Sequence, residues 1–346
     1  MTFTLSVDAE RWRKHLASVV ADTPGLVPVA KGNGYGFGLE RLGEEAARLG
    51  VDAVAVGVPE EVARVRTAYD GSVLVLTPYH DGTADAPDDP RLVRTVSHVE
   101  SLRALGGRTP RARVVLELRT TLRRHGLAPE VLPEVAGLLG GVDVEGWALH
   151  LPLGPGQGTH ADQVVDAVAL LRGAGIEPGT LWVSHLGPAQ LRRLEHDLAP
   201  LVLRPRTGTA LWLGDRGAAR ATGTVLDATP LARGERYGYR QRRAPFPGTL
   251  VVVSGGTAHG VGLVAPKAVT GLVARAKVAV GGGLEAAGLT LSPFTVAGRR
   301  RWFAEPPHMQ VSMLLLPADV PAPAIGDELE CDVRMTTSTF DRVVLR

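Results

Sequence analysis

The stretch that decides the fold is residues 27–38, which read V-P-V-A-K-G-N-G-Y-G-F-G. A short apolar strand pattern ends at Lys31, and a glycine-rich turn around Tyr35 follows. Glycines let the main chain approach a ligand closely because they lack a Cβ. An amine at the end of a strand can attack a carbonyl when burial and neighbouring cations lower its pKa. Taken alone, the stretch is more typical of a solvated lysine, so the rest of the chain has to decide.

The composition is that of an ordinary globular protein, with 346 residues, 45% hydrophobic, 21% charged and a formal net charge of +2. Aromatic residues make up 5%, too few for base-stacking platforms, so we expect no nucleic-acid partner. No apolar run approaches the roughly 18 residues that span a bilayer, and the N-terminus lacks a signal pattern. With Cys331 as the single cysteine, these features predict a cytoplasmic protein without membrane association. The basic triplet at 299–301 is interpreted as a solvated loop.

Apolar strand-like runs recur through the first two thirds of the chain, and stretches with helical periodicity separate most of them. Strands that alternate with helices at this spacing predict a parallel sheet. Eight such units fit a closed (β/α)8 TIM-type barrel. A doubly wound open sheet is the alternative, but the first turn lacks a clean G-x-G-x-x-G ahead of a helix. The predicted strands are 27–30, 53–57, 73–76, 93–96, 114–118, 145–149, 181–183 and 201–203.

The alternation stops after Gly214, and β-branched runs separated by Gly and Pro take its place. Such runs predict strands of an all-β domain. We therefore expect a barrel over residues 1–221 and a C-terminal β domain over residues 222–346. The N-terminal strand at 3–7 precedes the alternation and is expected to pair with the second domain. The predicted β-domain strands are 250–254, 272–280, 311–316 and 328–333.

Polar side chains follow several predicted barrel strands, at the end where barrel proteins place their active sites. They supply one amine, two guanidinium groups, a ring that can stack and small donors. An amine near fixed cations and a phosphate site suits pyridoxal phosphate held as a Schiff base. Arg204 shares a strand face with Arg206, so either can reach the site. The set is Lys31 and Tyr35 after the first strand, Arg124 after the fifth, His150 after the sixth, Ser184 and His185 after the seventh, and Arg206, Gly208 and Thr209 after the eighth.

The opening stretch resembles the signature of the alanine racemase family, A-V-x-K-A-N-A-Y-G-H-G, which stands here as V-A-K-G-N-G-Y-G-F-G at 29–38. The resemblance implies that Lys31 forms the Schiff base with pyridoxal phosphate and that Tyr35 hydrogen-bonds its phosphate. The stretch 116–126 is similar to the family's T-G-M-x-R-x-G and places Arg124 near the cofactor's phenolic oxygen. The segment G-W-A-L-H-L at 146–151 resembles the one whose histidine, here His150, stacks on the pyridine ring.

Two further barrel segments extend the resemblance. V-S-H at 183–185 occupies the place of an Asn-Ser pair whose serine reaches the phosphate, a role that falls to Ser184 or, after a one-residue shift, to His185. R-T-G-T-A-L-W at 206–212 looks like R-P-G-I-x-L-Y, which implies Arg206 on the pyridine nitrogen and the Gly208 and Thr209 amides on phosphate. An arginine there leaves the nitrogen unprotonated and disfavours a fully developed carbanion.

The β-domain segments depart from the family pattern on the substrate side. G-T-A-H-G at 256–260 resembles G-Y-A-D-G, so Thr257 replaces the tyrosine that acts as the second base from the partner subunit. A threonine hydroxyl does not ionise usefully near neutral pH. Phe340 stands for a tyrosine that touches the phosphate. V-S-M-L at 311–314 resembles V-S-M-D, in which Met313 meets the substrate carboxylate and Leu314 replaces an acid.

A two-base racemase needs a proton acceptor on each face of the substrate α-carbon. Lys31 serves one face, and His259, His308 and His185 are the candidates for the other. We predict a racemase of the alanine racemase type that interconverts L- and D-alanine or a related small amino acid, works as a homodimer with shared sites, and uses no metal. The alternatives are a pyridoxal-phosphate carrier or regulatory protein, a decarboxylase using Cys331, and a chain whose Lys31 binds no cofactor.

Overall fold

The computed structural model describes residues 2–82, 89–154, 158–263 and 290–346. The chain forms two compact units, which we call the barrel unit (Arg13–Gly214) and the β unit (Met1–Trp12 and Asp215–Arg346). The boundary at residue 12 falls inside the first helix, and the second boundary follows Gly214, where the strand–helix alternation of the sequence ends. No helix among the described residues has the length and apolar character needed to cross a membrane.

The barrel unit contains a sheet of eight parallel strands, which confirms the predicted barrel. The strands lie side by side in chain order, and the first also pairs with the last. A parallel bridge between Val29 and Ala55 brings the first strand beside the second and closes the sheet. The strands are β2 (Val27–Pro28), β3 (Ala53–Val56), β4 (Ser72–Val75), β5 (Leu92–Val96), β6 (Arg113–Leu118), β7 (Asp143–Leu149), β8 (Thr180–Val183) and β9 (Val202–Thr207).

Helices follow most of the barrel strands and cover the outside of the sheet. Helix α6 begins at a capping box, in which the Asp162 amide donates to the Thr159 hydroxyl and the Thr159 amide donates to the Asp162 carboxylate. The helices are α1 (Ala9–Ala21), α2 (Leu39–Arg48), α3 (Val62–Arg66), α4 (Val99–Leu105), α5 (Leu132–Leu138), α6 (His160–Gly173), α7 (Pro188–Asp197) and α8 (Thr209–Trp212).

Alternate strand residues point to opposite sides of the barrel wall. On β6, Val114 and Leu116 pack against the helix layer, whereas Val115 lies in a separate core cluster with residues from the other strands. This second cluster fills the barrel interior, as expected for a closed barrel of eight strands. It comprises Val27, Val29, Ala53, Ala55, Leu74, Val93, Val115, Ala148 and Trp182.

The β unit is built around a sheet in which the N-terminal strand β1 lies between two partners. Strand β1 (Phe3–Val7) pairs antiparallel with β10 (Ala219–Leu231) and parallel with β18 (Arg342–Leu345). The sheet order is β16-β13-β10-β1-β18, with β17 also paired to β10. The remaining strands are β11 (Arg236–Tyr237), β12 (Arg242–Arg243), β13 (Gly248–Ser254), β14 (Leu291–Val296), β15 (Arg299–Trp302), β16 (Val311–Pro317) and β17 (Glu328–Glu330).

The predicted strand at 272–280 lies outside the described residues. The basic triplet at 299–301, interpreted above as a solvated loop, forms strand β15 instead. Arg300 and Arg301 donate hydrogen bonds to the carbonyls of Ser292 and Val296, and Arg300 is exposed while Arg301 is half-buried. An exposed strand can therefore carry these three arginines.

Candidate active site at the carboxyl ends of the barrel strands

Lys31 and Tyr35 lie on a tightly wound loop that follows β2. Gly32, Gly34, Gly36 and Gly38 all have positive φ, and so does Tyr35, with φ of 55°. For a non-glycine residue this conformation costs roughly 1–2 kcal/mol, and such strain concentrates at functional sites. The Glu61 carboxylate holds the loop in place, because it accepts hydrogen bonds from the amides of Gly32 and Gly57, each at 2.6 Å.

Tyr35 is buried and its hydroxyl lies against Gly208, at the end of β9. A Cβ on Gly208 would overlap the Tyr35 hydroxyl oxygen, so only glycine fits there. Burial raises the pKa of Tyr35 to about 12, with a further contribution from Glu61. The phenol therefore keeps its proton at neutral pH and can donate a hydrogen bond. Within the described parts of the chain, the hydroxyl has no hydrogen-bond partner of its own.

Three cations converge on this end of the barrel. Lys31 is exposed at the end of its strand, but the surrounding protein removes part of its hydration and lowers the pKa of its amine. The charges of Arg124 and, more weakly, Arg206 lower it further, while Glu61 opposes them. A lysine with a lowered pKa has a larger fraction of free amine at neutral pH, which is the nucleophilic form.

Arg206 is the most buried of these cations. Its Nη2 donates to the Leu149 carbonyl at 3.0 Å, whereas its Nε is buried without a hydrogen-bond partner among the described residues. Burial lowers the pKa of Arg206 to about 10; the Glu117 carboxylate opposes this shift and Arg124 adds to it. Arg204, the alternative on the same strand, forms an ion pair with Asp52 instead, so Arg206 is the arginine that belongs to the site.

His150 is held as a neutral ring. Burial, followed by the charges of Arg206 and Arg124, lowers its pKa to about 3. The Thr120 hydroxyl donates to its carbonyl at 2.7 Å, and its Nδ1 lies 3.5 Å from the Ser184 hydroxyl. An uncharged imidazole fixed at a strand end can stack on a flat ligand without adding to the positive charge already present.

Ser184 and His185 both lie at this site. Ser184 is buried, and its hydroxyl accepts a hydrogen bond from the Leu151 amide at 3.1 Å. His185 is exposed, has φ of 59°, and contacts the His150 ring edge-on with centroids 5.5 Å apart. The His185 carbonyl accepts a hydrogen bond from His160 Nδ1 at 3.0 Å. Although the side chain is exposed, the surrounding protein removes part of its hydration and lowers the pKa of the imidazole, and His160 lowers it further. The geometry keeps both residues as candidates for the phosphate.

Helix α8 begins at Thr209, beside Gly208, and is anchored to the opening strand. The Trp212 indole donates to the Val29 carbonyl at 2.9 Å. The barrel unit thus brings together the barrel residues that the sequence predicts. Sequence reasoning missed three neighbours, Glu61, Glu117 and His160. Glu117 had a signal, since it lies two positions after Val115 on β6 and therefore shares its inward face.

The predicted residues of the β unit form a separate group. Leu314 is fully buried in β16, and Met313 pairs with Val252 on β13. Phe340 stacks on Phe3 with ring centroids 5.2 Å apart. Thr257 lies in a turn and donates from its amide to the His308 carbonyl at 2.8 Å.

The two β-unit histidines differ in their surroundings. His259 is 5% exposed, and both of its ring nitrogens are engaged. Its Nδ1 accepts from the Gly256 amide at 3.1 Å, so its Nε2 carries the proton that is shared with Asp341, also at 3.1 Å. His308 has Nε2 2.6 Å from the buried Glu305 carboxylate, and its Nδ1 contacts no hydrogen-bonding group in the described residues.

The barrel residues fit pyridoxal phosphate in three respects. An amine with a lowered pKa can bond to its aldehyde. The buried Nε of Arg206 is a donor without a partner in the described chain, available to a ring nitrogen. The space beside Gly208, which a Cβ would fill, lies next to the Tyr35 hydroxyl and offers donors to a phosphate. Fold and site thus define a (β/α)8 barrel protein with a lysine of lowered pKa after the first strand, followed by a β unit.

Comparison with known proteins identifies the family. Residues 7–212 match the family model of the alanine racemase N-terminal domain, so the chain belongs to the alanine racemase family. An alanine racemase from Methylobacterium sp. (strain 4-46) is 29% identical over 288 residues, which cover 75% of this chain and 74% of that protein.

Solved structures show the same fold at lower identity. The alanine racemase from Bacillus anthracis with bound L-Ala-P has a TM-score of 0.70 and 17% identity, covering 96% of this chain and 86% of that one. The alanine racemase from Bartonella henselae with covalently bound pyridoxal phosphate has a TM-score of 0.69 and 15% identity, covering 96% and 91%. These likenesses confirm the barrel followed by a β domain.

Proposed function

We propose that this protein is a pyridoxal-phosphate-dependent amino-acid racemase that interconverts the L and D forms of alanine or a related small amino acid. The observation that carries the proposal is the convergence of Lys31, Arg124, His150 and Arg206 at one end of the barrel, where the charges of Arg124 and Arg206 add to burial in lowering the pKa of Lys31 and His150. Membership of the alanine racemase family supports the reaction type.

The residues take the following roles in this proposal. Lys31 bonds to the cofactor's aldehyde, His150 stacks on its ring, Arg206 donates to its ring nitrogen, and Arg124 lies near its phenolic oxygen. The phosphate is held by Tyr35, Ser184 or His185, Gly208 and Thr209. When bound, the cofactor withdraws electrons from the substrate α-carbon and makes its proton removable. Lys31 then moves a proton at one face of that carbon, and a second group must do so at the other.

Cofactor binding is tested by absorbance and by chemical trapping. Purified protein incubated with pyridoxal phosphate is expected to show a Schiff-base band, and borohydride reduction is expected to fix the label on Lys31. The chain has only four lysines, Lys14, Lys31, Lys267 and Lys277, so peptide mapping locates the label without ambiguity. Lys31→Ala removes the band, whereas Lys14→Ala, at an exposed position outside the site, leaves it. An unlabelled Lys31 contradicts the proposal.

Racemisation is tested by incorporation of solvent deuterium at the α-carbon of L-alanine and D-alanine in separate reactions. A racemase with a base on each face exchanges both enantiomers and interconverts them. If neither enantiomer exchanges while the cofactor is bound, the racemase proposal is refuted. The hypothesis of a pyridoxal-phosphate carrier or regulatory protein is then favoured. Thr257, in place of an ionisable phenol, is the observation that keeps this alternative open.

The decarboxylase reading is weakened by the environment of Cys331. The thiol is 5% exposed, and burial raises its pKa well above the usual range. A buried, protonated thiol is a poor acid–base or nucleophilic group. Release of carbon dioxide from amino acids would support the decarboxylase hypothesis after all.

We further propose that the protein is cytoplasmic and acts as a homodimer, in which each site uses residues from both chains, as the family resemblance implies.

A further inference from the structure

The racemase proposed above needs a second proton acceptor, and the three candidate histidines are not equivalent in the structure. A histidine works as a general base when one ring nitrogen is held by a fixed group and the other is open to the substrate. His259 fails this requirement, since Gly256 and Asp341 occupy both of its nitrogens. His185 lies among the barrel cations on the same strand ends as Lys31.

His308 meets the requirement. Its Nε2 lies 2.6 Å from Glu305 Oε1. Because a carboxylate only accepts hydrogen bonds, Nε2 carries the proton and Nδ1 is the basic nitrogen. The His308 side chain is 24% exposed, whereas the Glu305 side chain is 3% exposed.

Glu305 is itself fixed by its surroundings. The Tyr239 amide donates to both of its carboxylate oxygens, at 3.0 and 3.3 Å. Gly238 lies so close that a Cβ there would overlap the carboxylate. The Tyr239 ring then packs against the His308 imidazole with centroids 4.5 Å apart. The carboxylate therefore fixes one edge of the imidazole through Nε2.

The position of this pair in the β unit is also specific. The turn at 255–258 is joined to residues 308–310 by three main-chain hydrogen bonds, from Gly255 to Gln310, from Thr257 to His308 and from Ala258 to Met309, at 2.9, 2.8 and 3.0 Å. His308 is therefore the direct neighbour of Thr257, which replaces the ionisable tyrosine of the family pattern.

We propose that His308 is the second catalytic base and that Glu305 is its positioning residue. This inference rests on the proposed racemase function. In one direction, His308 Nδ1 accepts the α-proton as the Cα–H bond breaks and the electron pair stays on the substrate, while the Lys31 ammonium gives a proton to the opposite face. The reverse direction exchanges the two roles. No oxidant, reductant or further reactant is required.

The decisive variant is His308→Gln, assayed for solvent-deuterium exchange from each enantiomer. Lys31 still exchanges the enantiomer whose Cα–H faces it, and does so with retention of configuration. The other enantiomer is expected to lose exchange by about 100-fold or more, the usual contribution of a general base, and racemisation is lost with it. His196→Gln, at a surface histidine whose side chain is 90% exposed and pairs with Asp197, is the matched control and keeps both exchanges.

The outcomes separate the two proposals. If the wild type exchanges neither enantiomer, the racemase itself is refuted. If the wild type exchanges both and His308→Gln still exchanges both at wild-type rates, His308 is not the base. If His308→Gln loses both while its cofactor absorbance is intact, the assignment is also wrong, because the lysine face should survive. Exogenous imidazole is expected to restore the lost exchange in His308→Ala.

Two further measurements test the assignment by other means. Diethyl pyrocarbonate, mapped by peptide mass spectrometry on the cofactor-free protein, is expected to modify His308 and to spare His259; equal protection of both overturns the assignment of an open Nδ1. Glu305→Gln keeps an acceptor oxygen for Nε2 and is expected to slow solvent-deuterium exchange from the enantiomer that faces His308 more than from the other. It should lower kcat/KM for racemisation equally in both directions, because the two enantiomers have equal free energies. A change confined to stability would make Glu305 merely structural.

Discussion

Two residues of the candidate site are held in backbone conformations that their side chains disfavour. Tyr35 and His185 both have positive φ, at 55° and 59°. Each conformation costs of order 1–3 kcal/mol and persists only where the surroundings fix it. Around Tyr35, the Glu61 carboxylate provides that constraint through two short hydrogen bonds to main-chain amides. The constrained loop therefore holds the Tyr35 phenol against Gly208.

Gly208→Ala tests whether this placement serves a phosphate. The new methyl group would overlap the Tyr35 hydroxyl and displace it, since the ring is buried and cannot relax easily. We expect the affinity for pyridoxal phosphate to fall by about tenfold or more, the equivalent of roughly 1.4 kcal/mol, with the far-ultraviolet circular dichroism unchanged. Gly179→Ala, where an added Cβ meets nothing within 4 Å, is the control. Unchanged affinity in Gly208→Ala would separate Tyr35 from the phosphate site.

His150 makes a prediction about acid stability. Its pKa is about 3 in the folded chain and about 6.5 when unfolded. Between these values the unfolded chain binds a proton that the folded chain does not, so the free energy of unfolding falls as the pH drops from about 6.5 towards 3. The slope is at most about 1.4 kcal/mol per pH unit, and partial solvent exposure reduces it.

The measurement is chemical denaturation of the cofactor-free protein at several pH values between 7 and 4. His150→Gln removes the titrating group. The free energy of unfolding of this variant should therefore fall less steeply with decreasing pH than that of the wild type. His125→Gln, at an exposed side chain, is the control for the loss of an imidazole. Parallel curves for the wild type and His150→Gln would show that His150 keeps an ordinary pKa.

The elements differ in how far the sequence predicts them. The eight barrel strands were predictable because parallel strands buried on both faces read as continuous apolar runs. Strands β10 and β15 were not, because A-R-A-T-G-T-V-L-D-A-T-P-L and R-R-R-W contain polar, Gly and Pro residues that are typical of loops. Pairing with distant strands stabilises β10 and β15, and their faces are partly exposed. Their sequences therefore lack the local hydrophobic pattern that predicts a strand. At the site, Glu305 and Asp341 were missed for the same reason, since only the fold brings each beside its histidine.

Strand β1 illustrates the dependence of the β unit on distant pairing. It lies between β10 and β18, and the Leu5 side chain is fully buried. Leu5→Ala is expected to cost about 2–5 kcal/mol through lost burial and the cavity left behind. Hydrogen exchange followed by mass spectrometry should show faster exchange in β10 and β18, with β7 of the barrel unit unchanged.

The control for this experiment is Ser6→Ala, on the opposite face of the same strand and only half buried. It should leave exchange in β10 and β18 close to that of the wild type. If Leu5→Ala accelerates exchange equally in β7, the two compact units do not behave as separate cooperative units.

At the scale of the whole molecule, the proposed chemistry divides between the two units of the chain. Lys31 belongs to the barrel unit, and His308 to the β unit. In the proposed mechanism the two bases therefore belong to different units. In a homodimer with shared sites, the two bases of one site come from different chains, so single variants in the two units should complement each other when their chains mix.

Mixing Lys31→Ala with His308→Gln tests this arrangement. In a mixed dimer, one site lacks both bases and the other has an intact Lys31 from one chain and an intact His308 from its partner. Random reassociation makes about half of the dimers mixed, and each mixed dimer has one intact site out of two. About a quarter of all sites in the mixture are therefore intact. Racemisation should therefore return to about a quarter of the wild-type rate after dissociation and reassociation. Double-variant chains carrying both substitutions, mixed with themselves, should stay inactive. If the mixture also stays inactive while each variant remains dimeric and Lys31 of the His308→Gln chain still binds cofactor, the two bases belong to the same chain.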